Sequence, residues 1–431
     1  MKFSCFTSLV AAASTLSFTA LAQDSSPARQ FRDQEAVRLL QEDISRAGNN
    51  VNSYEFNPIH DTKAPKGYKP FYISHYGRHG SRSDWGMKHY TKVKDVLEES
   101  NEEGNLTASG DSLLAVTTEL ISLHNGMDGR LTRRGCEEHR RIAERMYGRY
   151  REVFKRKGTE VRAISSVVPR CIISMAAFTG ELMALDPKLD ISLDCGETYQ
   201  QYMSHGPTKD IRNKANIIVD SLNRSYKADT IMVMERLFKD PAAARKHIPD
   251  IEIFEWDIFA VGIVADPFEM EVNALKFLPF DAVYKFFDSA NASLYLAQCN
   301  SKEFGLERVP LAEPLVNDIV TKADEAIESG RFSADLRFGH DYPILALASY
   351  LGLEGVGDRL SVEELRSNWY GFQNVPFAVN LQMIFYRDKK GDILVKFLYN
   401  EKETLLRGLK PVEGPYYRWD TVKANIKGYL R

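Results

Sequence analysis

Long hydrophobic runs are missing from this chain beyond its first 22 residues. No later stretch reaches the roughly 18 apolar residues that span a bilayer, and the longest candidate, 342–353, reads as a buried helix. Charge of one sign is lacking too: 56 Lys and Arg stand against 59 Asp and Glu, a formal net charge of −3. That balance argues against general attraction to nucleic acid or membrane surfaces, so any affinity for anions has to come from a local cluster. Cysteine is scarce, at five residues. Cys5 falls in the leading segment and no Cys follows that segment's end, so a lipid-anchored lipoprotein is not supported. Cys136, Cys171, Cys195 and Cys299 fit no zinc spacing. They allow three pairings, and the sequence does not choose among them. Internal repeats and low-complexity segments are absent as well.

What is present begins with that leading segment. Lys2, an apolar run and Ala20-Leu21-Ala22 before Gln23 have the layout of a secretory signal peptide, 1–22, cleaved after Ala22. The expectation is a periplasmic or extracellular protein in an oxidising compartment. Asn105, Asn223 and Asn291 each open an Asn-x-Ser/Thr acceptor, relevant only in a host that glycosylates its exports. The remaining chain, about 409 residues, exceeds the roughly 250–300 that one core organises. Two domains, or one with a large insertion, are expected.

Periodicity divides it further. A helix is expected over 33–47, an apolar β-rich strand over 71–75, and helices over 87–99 and 112–123. One long charged helix follows over 136–155, with His139 on its solvated face. Next come a strand over 161–165, a helix over 171–185 and a strand over 190–193. Residues 199–329 are mostly helical in pattern. A strand over 334–338 then precedes the apolar helix, and 378–387 and 393–400 flank Asp388-Lys389-Lys390-Gly391-Asp392 as a β-hairpin. The pattern is α/β with a mainly parallel sheet: 23–198 and 330–431 form the core in two parts, and 199–329 is an inserted helical domain.

The stretch Phe71-Tyr72-Ile73-Ser74-His75-Tyr76-Gly77-Arg78-His79-Gly80-Ser81-Arg82 organises the reading. It starts as a strand covered on both faces and breaks into a loop of cations at the end where open α/β sheets bind ligands. An imidazole lies between two guanidinium groups, while Gly77 and Gly80 leave room for a ligand to approach the backbone. Arginine forks match phosphate oxygens, and a neutral imidazole can attack phosphorus once the anion's charge is balanced. The plainer alternative is a basic surface loop. Two further strand-to-helix junctions carry matching chemistry, Arg170 and His340-Asp341. Asp341 is equally placed to cap the helix it precedes. His75 and His79 have the i, i+4 spacing of a helical metal pair but lie across a strand and a glycine loop, so no metal site is assigned. His60, His89, His124, His205 and His247 have no convergent partners in the sequence.

With these residues together, the chain resembles the histidine acid phosphatase family, the clade-2 branch of the histidine phosphatases that includes phytases and multiple inositol polyphosphate phosphatases. The likeness covers Arg78-His79-Gly80-x-Arg82, Leu131-Thr132-x-x-Gly135, Ser166-x-x-x-Arg170-x-x-x-Ser174, His340-Asp341 and a closing strand pair ending at Tyr399-Asn400. It implies a phosphoglycerate-mutase-like three-layer α/β core with a helical insertion, and hydrolysis of a small-molecule phosphate monoester without a cofactor or metal. By the same resemblance His79 is the nucleophile and Asp341 the proton donor, and Arg78, Arg82, Arg170 and His340 bind the phosphoryl group. An acidic optimum is expected, with inositol phosphates and sugar phosphates as candidate substrates. The alternatives are a phosphate-ester-binding protein without turnover and a mutase-like phosphotransferase. The chain departs from the pattern twice. Ser83-Asp84-Trp85 stands where the family continues with a residue, Pro and a phosphate-binding Thr. His340-Asp341 stands where many inositol polyphosphate phosphatases carry His-Ala-Glu. The first departure, which removes the hydroxyl and adds the negative charge of Asp84, weighs against a phytate-type specificity.

Overall fold

The computed structural model describes residues 33–224 and 230–429; the segment 1–22, read above as a signal peptide, lies outside them. Eight strands form one sheet: β1 Lys69–Arg78, β2 Glu160–Ser165, β3 Asp190–Cys195, β4 Phe332–Gly339, β5 Asn380–Arg387, β6 Ile393–Tyr399, β7 Lys402–Thr404 and β8 Tyr416–Arg418. Their order is β3-β2-β4-β1-β5-β6-β7, with β8 also paired to β6. The first four are mutually parallel, and β5 turns the sheet antiparallel at β1. The expected hairpin is present as β5 and β6, seven residue pairs from Leu381↔Tyr399 to Arg387↔Ile393.

The helices that frame the first half are α1 Gln34–Glu42, α2 Lys88–Glu102, α3 Ala108–His124, α4 Arg133–Arg149, α5 Arg151–Phe154 and α6 Pro169–Leu185. Between β3 and β4 the described regular elements are helical, running from Glu197 to Ser329. The central strand β1 is buried from Phe71 to Arg78. Its alternation sends Tyr72 and Tyr76 into a core shared with Met203, Tyr295 and Ile319, and Ile73 into the opposite core with Phe178, Leu336 and Phe338. Helix-covered faces on both sides explain why the strand reads as an unbroken apolar run. Two arginines of the central strands are paired with carboxylates. Arg337 meets Asp318 at 2.7 Å and donates to Ser74 Oγ at 3.1 Å, while Arg162 meets Asp335 at 2.7 Å.

Two helical expectations are corrected. The helix expected over 33–47 stops at Glu42, because Asp43 turns extended and its carboxylate caps a following 3-10 segment through Ser45 N. The long charged helix starts earlier than 136, with Thr132 capping Gly135 N, and breaks at Tyr150 between α4 and α5. His139, expected on the solvated face, is buried. Gly135, Glu138, His139, Ile142, Ala143 and Met146 recur at helical spacing and form the packed face of α4, while its charges take the other side. Cys136, Cys171, Cys195 and Cys299 are all free thiols. No helix among the described residues is long and apolar enough to cross a membrane.

Candidate active site

Three neighbouring parallel strands end together, and each end delivers one part of the site. The register Gly77↔Phe338 and Ser165↔Phe338 puts the last residues of β1, β4 and β2 side by side. The chain leaves β1 into His79, β2 into Arg170 at the start of α6, and β4 into His340 and Asp341 at the head of the helix Asp341–Leu351. Residues far apart in sequence thereby meet: the His79 and His340 ring centroids are 5.6 Å apart.

His79 is held from several sides. Its backbone N donates to Gly339 O at 3.0 Å, its carbonyl accepts from Ala378 N at 3.0 Å, and Ser174 Oγ accepts from Gly80 N at 3.1 Å. Nδ1 lies 3.0 Å from Gly80 O, a contact that needs the proton on Nδ1. The lone pair therefore resides on Nε2. Burial, then the charges of Arg78, Arg170 and Arg82, hold the imidazole pKa well below its ordinary value. The ring is neutral in acid, as a nucleophile attacking phosphorus requires.

The arginines form an electropositive floor. Arg78 donates from Nη1 to the carbonyls of Asn50 and Val375. Arg82 donates from Nη1 to Ser83 O at 2.6 Å, and Arg170 Nη2 lies 3.4 Å from His340 Nδ1. The Nε atoms of all three are closed to solvent without a hydrogen-bond partner. Burial first and then mutual repulsion with Arg78 and Arg170 pull the Arg82 pKa down to about 10. Like charges crowded together, with donors unmet, mark the place of an anion.

His340 and Asp341 complete the arrangement. His340 Nε2 lies 3.3 Å from Ser166 Oγ, and its backbone N donates to Tyr76 Oη at 3.2 Å. Burial and the Arg170 charge lower its pKa to about 4. Asp341 divides its two oxygens: Oδ1 accepts from Tyr342 N at 3.0 Å, whereas Oδ2 pairs with Arg78 Nη2 at 3.0 Å and accepts from Asn50 Nδ2 at 2.9 Å. Burial would raise its pKa, but the Arg78 charge and the Asn50 bond outweigh burial and hold it below the ordinary carboxylate value. The capping role expected for Asp341 is corrected: the helix cap is His340, Asp341 is the first helical residue, and its Oδ1 serves only the adjacent Tyr342 N while Oδ2 faces Arg78 and Asn50.

All six sequence-derived candidates, His79, Asp341, Arg78, Arg82, Arg170 and His340, thus lie together beyond the ends of β1, β2 and β4. The glycines require a correction. A Cβ at Gly80 would come 2.3 Å from Gly135 O, and one at Gly77 would come 2.8 Å from the His75 ring. Both glycines serve close packing of protein on protein rather than ligand approach. Sequence reasoning also missed two supports. Asn50 bridges Arg78 and Asp341 from a segment with no sequence signature. Glu138, buried on α4, accepts from Ser81 N at 2.7 Å, Ser81 Oγ at 2.6 Å and Tyr54 N at 2.9 Å, pinning the loop that carries His79. Its spacing after Gly135, on the face that also buries His139, was the available signal. Among the described residues, no group of three or more His, Cys, Asp or Glu side chains is placed to hold a metal ion.

No family model and no curated protein matches the chain. Solved structures do. The multiple inositol polyphosphate phosphatase of Bifidobacterium longum, in complex with inositol hexasulfate, aligns at 19% identity and TM-score 0.72 over 88% of this chain and 97% of its own. The phytase from D. castellii aligns at 15% identity and TM-score 0.67 over 90% of this chain and 86% of its own. A Hafnia alvei phytase aligns at 14% identity and TM-score 0.53 over 86% and 98%. The chain has the fold of these histidine acid phosphatases, the architecture that its motifs resemble.

Proposed function

We propose that this protein hydrolyses phosphate monoesters through a phosphohistidine on His79, with inositol phosphates and sugar phosphates within its range. The carrying observation is a neutral imidazole, its Nδ1 committed to Gly80 O, surrounded by three arginines whose buried Nε atoms lack partners. Arg78, Arg82, Arg170 and His340 would hold the phosphoryl oxygens and neutralise their charge, which is most of what phosphoryl transfer asks of a protein. His79 Nε2 attacks phosphorus and the ester P–O bond breaks. The departing oxygen takes its proton from the Asp341 carboxyl. Water then attacks phosphorus, the P–N bond breaks and returns its electron pair to His79 Nε2, a proton passes back to Asp341, and orthophosphate is released. Likeness of fold to phosphatases and phytases supports this reading, as does the co-location of the six residues. The leader pattern of 1–22 supports export to the periplasm or the exterior.

The test is rapid acid-free quenching of wild type and His79→Ala with a radiolabelled phosphate ester at about pH 5. Acid-labile label on the wild type alone is the expected result. Phosphate-ester binding without label or product would instead identify a binding protein. Transfer of label to a second alcohol in preference to water would identify a phosphotransferase.

A further inference from the structure

Trp85, within the segment that departs from the family pattern, is unusual among the large aromatics in being 63% exposed. Its ring centroid lies 4.5 Å from Arg82 Cζ and 4.7 Å from Arg170 Cζ, so a single indole touches two of the arginines proposed to grip the phosphoryl group. The six-membered ring of the indole is also closely packed. Gly129 sits so close that an added Cβ would meet the indole Cε3 and Cζ3 at 3.0 Å. The loop carrying Trp85 is bound to the 127–131 segment through Gly129 N to Asp84 O at 2.7 Å, Ser83 N to Arg130 O at 3.0 Å, Ser83 Oγ to Met127 O, and the bridge Arg82↔Leu131. An exposed tryptophan on a loop with this many anchors is a preset surface rather than a wandering side chain.

We infer that Trp85 is a stacking platform for the alcohol half of the substrate, selecting monoesters in which the phosphorylated oxygen sits on a ring with an open apolar face. This rests on the phosphate-ester reading of the site and goes beyond it to the class of ester. A phosphoryl group held by both Arg82 and Arg170 lies within reach of the indole, whose exposed surface is then available to its alcohol half. A flat or ring-shaped alcohol gains contact with the indole face, whereas a short open-chain alcohol has little surface to offer. The family's hydroxyl at this point would add a donor to the phosphate. Here the chain substitutes a surface for the leaving group.

The test uses two phosphonates that cannot be hydrolysed, phenylphosphonate and ethylphosphonate, titrated calorimetrically into wild type, Trp85→Ala and Trp85→Phe. The wild type is expected to prefer phenylphosphonate by about 5- to 10-fold, with Trp85→Phe keeping most of the preference and Trp85→Ala losing it. A matching split is expected in kcat/KM, with Trp85→Ala losing more on 4-nitrophenyl phosphate than on glycerol 2-phosphate. Equal weakening of both phosphonates in Trp85→Ala would overturn the inference by making the indole only a prop for Arg82 and Arg170. An unchanged preference in Trp85→Ala would overturn it too. Failure of the wild type to bind either phosphonate would instead refute the phosphate-ester site itself.

Discussion

Asp341 Oδ2 and Arg78 Nη2 form an ion pair at 3.0 Å in which the arginine side chain is 2% exposed and the aspartate 16%. The pair sets a condition on the proposed chemistry. With the site empty, the Asp341 carboxyl is held ionised by Arg78, the wrong state for a proton donor. A dianion arriving on Arg78 engages that charge and adds its own, and both effects raise the carboxyl pKa. Substrate charge therefore arms the donor, and by linkage anion affinity increases as pH falls. Sulfate, which does not titrate in this range, is expected to bind with uptake of up to about one proton near pH 4–5. Calorimetry in buffers of different ionisation enthalpy reads this directly. Asp341→Asn should reduce the uptake to the share taken by His340, whose pKa of about 4 a bound anion also raises, and buffer-independent heats in the wild type would refute the coupling.

The same carboxyl should matter most where the leaving oxygen is basic. Asp341→Asn is expected to lose about 10²- to 10⁴-fold in kcat on glycerol 2-phosphate and far less on 4-nitrophenyl phosphate. A small, equal loss on both esters would return Asp341 to a purely local helix-start role.

Two buried histidines outside the proposed chemistry limit how far into acid the protein can work. His75 and His139 are neutral among Phe178 and Phe338, and burial lowers each pKa to about 3. Below about 6.5 the unfolded chain binds protons there that the folded chain refuses, so stability is fullest above that pH and drains as pH falls toward 3. The melting temperature should drop steadily from pH 6.5 to 4. His139→Phe should flatten that slope, and an unaltered slope would show that other groups control acid lability.

Gly135 is the backbone seat of the loop that bears His79. An alanine Cβ there would come 2.2 Å from Ser81 O. Gly135→Ala is expected to destabilise the fold by about 1–3 kcal/mol and to weaken phosphate binding, since relief requires moving the loop that bears His79 and Arg82. Chemical denaturation together with phosphate titration measures both. A stable variant with unaltered phosphate affinity would contradict the seat.

Much of this was legible because the chemistry sits at strand ends, where apolar runs stop abruptly at Arg78, Ser165 and Gly339. The order of parallel strands, and with it the meeting of His79, Arg170 and His340, lay beyond periodicity, since pairing is set between distant segments. His139 was misread for a related reason: a helix dense in charge can still have one fully packed face. Asn50 left no trace, because its role depends on a local backbone path from Ile44 to Val51 in which Asn49 adopts φ 50°. Trp85 was visible as a departure from the family pattern, but only the positions of Arg82 and Arg170 give it a purpose.

The strand β4 pairs with β1 on one side and β2 on the other, and it enters the chain only at Phe332. During synthesis the loop bearing His79 is made early and the segment that completes its surroundings emerges late. A nascent chain stopped before Phe332 has His79 and Arg170 but lacks the strand that joins their sheet edges and the donor that follows it. Any hydrolysis regained on refolding is consequently a clock for the insertion of β4 between β1 and β2, and it should lag behind the return of helical signal.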